Sequence, residues 1–229
     1  DLEEGNLFFN FRDLKPGDYG EDTISLHVKD NDSYLCADVT LTSNTDNGST
    51  EPELNDEDPY TAGEGELADN VHFIWWADDG DNVLETDEDP LPSGTLGALN
   101  VDQTATVSLA DTNANLWNPD NEGGALPGDS TRYIGKAWCF GNMTLSALDQ
   151  DGMGTTSPRT PANSTGGFTC DGSQENNSTQ TDGLTADIGF RAVQSRNNEG
   201  FRCIPPAGPE TATLTVDKEI TFSDPSTPS

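Results

Sequence analysis

The stretch Val71-His72-Phe73-Ile74-Trp75-Trp76 is apolar on both faces of an extended chain, His72 excepted. A run of this kind is what a central strand needs when both sides of its sheet are covered. Working outward, the segments around it keep the two-residue period of strands. Upstream, Leu7, Phe9 and Phe11 alternate with polar residues, as do Ile24, Leu26 and Val28 against Ser25, His27 and Lys29. Leu35, Ala37, Val39 and Leu41 repeat the pattern, which sets Cys36 on the opposite face. Between the first two segments lies Lys15-Pro16-Gly17-Asp18, where Pro presets φ at the second turn position and Gly accepts a positive φ at the third. Downstream come Ala105, Val107 and Leu109, then residues 133–140, then Ile188, Phe190 and Ala192. No stretch has the pattern of a twelve-residue helix. The class is all-β.

The chain has 229 residues, with 42 acidic and 10 basic side chains and a formal net charge of −32. That sign excludes a nucleic-acid backbone as partner and disfavours anionic membranes. No run approaches the roughly 20 apolar residues of a membrane span, and no signal peptide is visible, so the chain reads as a mature or trimmed product. The acidity suits a halophile's solubilising surface or carboxylates that hold calcium outside the cell. Two polar insertions, 43–70 and 149–182, hold too few apolar residues for cores of their own and read as loops. Residues 1–203 form one β-sandwich domain, 204–210 a Pro-rich linker, and 211–229 a tail with one strand. Leu214, Val216, Ile220 and Phe222 share a face of that strand, which a lone strand cannot leave in water.

Cys36, Cys139, Cys170 and Cys203 contain no CxxC pair, and an even count in a polar chain favours two disulfides in an oxidising compartment. Three connectivities are possible. Cys139–Cys170 closes the second insertion back onto its strand, and Cys36–Cys203 ties an early strand to the end of the last, so this pairing is favoured. Six N-x-S/T sequons, at Asn31, Asn47, Asn142, Asn163, Asn176 and Asn177, also point outside the cell and make glycans possible.

Against a twelve-residue calcium loop, 77–88 places Asp79, Asp81, Glu85 and Glu88 at positions three, five, nine and twelve, with the Val83 carbonyl at seven. Asn82 takes the sharp-turn position, which Asn tolerates. Ala77 stands at position one, so a ligand is lost there unless Asp78 substitutes. The competing reading is an acidic hairpin loop. His27 and His72 alone cannot build a hydrolytic zinc site, which needs about three protein ligands, and His72 reads as a buried, hydrogen-bonded histidine. A nucleophile elbow is also missing. Enzymatic activity is not expected. Trp75, Trp76, Trp117 and Trp138 read as core rather than as a sugar platform.

Three blocks in order carry a resemblance. They are Phe8-Phe9-Asn10-Phe11 with Asp13-Leu14-Lys15-Pro16-Gly17-Asp18; Trp76-Ala77-Asp78-Asp79-Gly80-Asp81-Asn82; and Ala186-Asp187-Ile188 through Ser195-Arg196-Asn197-Asn198 to Cys203. Over 1–203 the chain resembles the TasA/camelysin-like family of secreted proteins. The resemblance implies a jelly-roll sandwich at the cell surface whose copies polymerise into biofilm-matrix fibres by donating a strand. The family often donates an N-terminal strand. Here Leu7, Phe9 and Phe11 run straight into a turn, as a strand of their own domain would. Leu214, Val216, Ile220 and Phe222 hang from a Pro-rich tether and are the expected donor. The leading expectation is therefore a homopolymeric extracellular filament subunit. The alternatives are a monomeric calcium- or glycan-binding surface domain of a larger adhesive protein and, more weakly, a secreted peptidase.

Overall fold

A computed structural model describes residues 9–56, 64–91, 94–118, 120 and 122–204. Its strands are β1 (Phe9–Arg12), β2 (Tyr19–Val28), β3 (Ser33–Thr45), β4 (Val71–Asp78), β5 (Gly94–Thr95), β6 (Thr104–Ala110), β7 (Ser130–Phe140), β8 (Asn142–Leu145), β9 (Phe168–Asp171) and β10 (Gly183–Gln194). One sheet has the order β1-β10-β3-β6 and the other β2-β7-β4-β5, with β8 and β9 forming a separate hairpin. Setting the hairpin aside, first pairs with last, second with seventh, third with sixth and fourth with fifth. This is an antiparallel ribbon rolled up into a jelly roll.

The alternation read from the sequence is what fills the space between the sheets. Ile24, Leu26, Ile134, Phe73 and Trp75 from one sheet meet Phe9, Leu35, Ala37, Leu41, Leu109, Leu184 and Ile188 from the other. Phe9 is 4% exposed and its ring centroid lies 4.6 Å from that of Phe73. β1 pairs antiparallel with β10, Phe9 opposite Ala186, so Phe9 and Phe11 belong to their own domain's sheet. Leu7, Leu214, Val216, Ile220 and Phe222 lie outside the described residues.

β4 buries both faces, as its composition requires. Val71, Phe73 and Trp75 face the sandwich core, while Ile74 and Trp76 face outward into a second, smaller core with Leu84, Ala137 and Phe168. The second insertion supplies part of this cover. It was expected to be a loop without a core, and it does lack one of its own. But β9 inside it pairs with β8 and delivers Phe168 to the outer face of the sheet. The first insertion likewise carries two short helices, α1 (Glu51–Asn55) and α2 (Leu67–Asn70).

All four cysteines are paired, Cys36 with Cys203 and Cys139 with Cys170, in the connectivity that loop closure favours. The first bond ties the chain after β10 to β3, and the second ties β9 to β7. Such bonding fits an oxidising compartment rather than the cytoplasm. Among the described residues no helix is long and apolar enough to cross a membrane.

Candidate functional site

β4 ends in Asp78, and the chain leaves it through a tight loop in which Gly80 and Asn82 both take positive φ, 114° and 64°. Asn82 thus makes the sharp turn expected of it. The loop folds carboxylates inward in two groups that share Asp79, one with Asp78 and Glu88 and the other with Asp81 and Glu85. Within each group an oxygen of every member lies within 4.8 Å of the others.

The first group is occupied by the protein's own donors. Asp78 Oδ2 accepts hydrogen bonds from the Thr23 hydroxyl at 3.0 Å and Gly80 N–H at 3.1 Å, and Oδ1 accepts one from the Trp76 indole at 3.2 Å. Glu88 Oε1 accepts from Asp79 N–H at 2.8 Å and Oε2 from Glu85 N–H at 2.9 Å. Burial pushes the Asp78 carboxyl up to about 7 and that of Glu88 to about 9, the latter helped by the charge on Asp78. These two side chains brace the loop from within.

The second group is different. Asp79 Oδ1, Asp81 Oδ2 and Glu85 Oε2 are each buried without a hydrogen-bond donor among the described residues. Glu85 is 0% exposed. Its other oxygen takes Arg159 Nη1 at 2.6 Å and Asp151 N–H at 3.3 Å, so Oε2 alone is left without a donor. Burial also raises the Asp81 and Glu85 carboxyls above their ordinary range. Buried carboxylate oxygens without donors are costly unless a cation compensates them. This buried acidic cluster could hold a metal ion. Its ligand atoms are all hard oxygens, the donor type of the alkaline-earth ions.

The sequence placed Asp79, Asp81, Val83, Glu85 and Glu88 along one loop, and the fold sorts them. Asp79, Asp81 and Glu85 converge, Glu88 turns to the Asp78 side, and Val83 is fully buried. Arg159 and Asp151 come from the second insertion, 60 or more residues away in sequence, and no local spacing marks them. His27 is exposed and bonded to the hydroxyls of Thr131 and Ser25 at 3.1 and 3.2 Å. His72 is half-buried rather than buried, because it lines a cleft with Gly94, Met143 and Leu145. Trp76 is fully buried and Trp75 nearly so. All six sequon asparagines are exposed.

A second feature lies where the sandwich opens. β6 is hydrogen-bonded to β3; on its other side Asn115 bridges Ala110 and Leu116 N–H donates to Leu109 O at 2.9 Å. Among the described residues no strand pairs with the rest of that edge, while β5 opposite spans two residues. Between them is an apolar cleft of about 520 Å³ lined by Phe73, Trp75, Leu96, Leu99, Ala105 and Val107, with no charged side chain among its described residues.

Set against protein-family models, curated proteins and solved structures, the chain matches none of them.

Proposed function

We propose that this chain is a structural, non-catalytic subunit of an extracellular filament, joined to identical copies by strand exchange. The observation that carries the reading is the uncharged apolar cleft beside the part of the β6 edge, Thr104 to Ser108, that no described strand or bridge pairs. Apolar surface of this kind on an otherwise acidic molecule marks a docking site, and an unpaired edge strand offers backbone groups for one more strand. At a net charge of −32, surface charge drives copies apart, so assembly needs backbone pairing and apolar burial. The sequence 211–222 has the fitting character. Thr211-Ala212-Thr213-Leu214-Thr215-Val216 is an uncharged, β-favouring run, followed by Ile220 and Phe222. Truncation after Cys203 is the test. Folded monomers that no longer form fibres are expected; fibres assembling from the truncated chain would refute donation by the C-terminal segment.

A calcium-binding surface domain is the second reading, favoured by the donorless oxygens of Asp79, Asp81 and Glu85. Calcium suits a cluster of carboxylates outside the cell, and it is compatible with the filament. An ion that binds only the folded state raises stability by mass action. Excess chelator should therefore lower the melting temperature of the parent and leave Asp81→Asn unchanged; an identical parent curve with and without chelator would remove calcium from the account. The exposed sequons support glycosylation, which would appear as added intact mass that a glycosidase removes.

A further inference from the structure

We infer that a divalent cation held by Asp79, Asp81 and Glu85 clasps the second insertion onto the β4–β5 loop and so keeps the outer face of the β2-β7-β4-β5 sheet covered. The inference rests on the calcium reading and says what the ion does.

The cover is needed because Ile74, Trp76 and Ala137 point away from the sandwich core. Leu84 of the loop and Phe168 of the insertion take them out of water, with Met143 packed alongside. Two kinds of contact hold loop and insertion together. The first is backbone pairing around Leu84. Its N–H donates to Gly166 O at 3.0 Å; at Leu148, the residue that leads into the insertion, the N–H donates to Leu84 O at 3.0 Å and the carbonyl accepts Thr86 N–H at 2.9 Å. Gly167 lies so close that a Cβ there would stand 2.4 Å from Leu84 O. The second contact is ionic. Arg159 reaches Glu85 at 2.6 Å and Asp151 at 3.4 Å, and the Ser157 hydroxyl donates to Asp151 Oδ2 at 2.7 Å.

Here the charges do not balance. Asp79, Asp81 and Glu85 of the loop and Asp151 of the insertion face one another across this contact, with Arg159 as the cation bound between Glu85 and Asp151. Arg159 occupies Glu85 Oε1 and leaves Oε2 of a wholly buried carboxylate without a donor, in a cluster where Asp79 and Asp81, each with an oxygen within 4.8 Å of one of Glu85, also carry a buried oxygen without a donor. A cation on those oxygens removes the repulsion that would otherwise push the insertion off the loop. The disulfide from Cys170 to Cys139 already fixes the far end of the insertion. The ion fixes the near end, around residues 149–159.

Hydrogen exchange of the full chain, with calcium and with chelator, reads the clasp directly. Chelation should speed exchange roughly tenfold or more at Leu84, Leu148 and Asp151, the amides that fasten the cover, and leave the β3–β10 amides unchanged, since openings are local to cooperative units. Asp81→Asn should show the fast pattern in both buffers. If calorimetry detects calcium binding but these amides are unaffected, the clasp is refuted and the calcium reading stands. If calorimetry detects no calcium binding to the parent, both fall.

Discussion

Asp111, 3% exposed at the end of β6, shows how one carboxylate can organise a corner. Its Oδ1 accepts the N–H groups of Asn113 and Ala114 at 2.7 and 3.1 Å, and Oδ2 accepts that of Cys203 at 2.9 Å. Burial alone would raise its pKa, but the hydrogen bonds from the Cys203, Asn113 and Ala114 amides outweigh it and hold the carboxyl below the ordinary 3.8. A depressed folded value means the unfolded chain binds the proton more readily. The stabilisation is therefore full above the ordinary value and is lost as the pH falls through the folded one. Asp111→Asn should cost about 2 kcal/mol at neutral pH, from losing charged hydrogen-bond acceptance. The gap to the parent, measured by urea titration, should shrink in acid. A gap that stayed constant down to acid would contradict the role given to the charge. The residue is invisible from sequence because its partners are backbone amides brought to it by the fold.

At the scale of elements, β7 packs both faces because it carries Gly135 opposite Trp76 in the β4 register. The indole lies across the glycine, and a Cβ there would stand 2.1 Å from Trp76 Cε2. Gly20 of β2 stands under Trp138 in the same way, with a Cβ 2.7 Å from its Nε1. Ala normally stabilises a strand relative to Gly, yet Gly135→Ala should destabilise by about 1–3 kcal/mol through overpacking. A midpoint equal to or above the parent's would contradict the Trp76 packing. The alternation of Ile24, Leu26, Leu35, Ala37 and Ile188 made the sandwich strands legible, since burial on one face imposes period two. β9 was not legible, because Phe168 is its lone large apolar residue in a polar insertion and its strand exists by pairing with β8. α1 lies in an insertion read as a loop, and a capping box from Thr50 to Glu53 closes its first turn. There Glu53, 1% exposed, also accepts hydrogen bonds from the Thr181 N–H and hydroxyl. Of the acidic site, the loop was legible from its spacing. The sorting of Glu88 away from Asp81 and Glu85 was not, because it depends on which oxygens the loop's own amides consume.

For the whole molecule, with its net charge of −32, two places carry the functional reading. One is the carboxylate cluster, where donorless oxygens ask for a cation. The other is the cleft between β5 and β6, which has no charged lining among the described residues. The two disulfides close loops separated by 167 and 31 residues, and they stabilise the sandwich by restricting the unfolded chain. The proposed strand exchange requires such a stapled domain to keep its fold with the β6 edge from Thr104 to Ser108 unpaired. Negative-stain electron microscopy of the full chain, concentrated in physiological salt with calcium, tests the central claim most directly. The account predicts uniform fibres, and a field of monodisperse particles would contradict it.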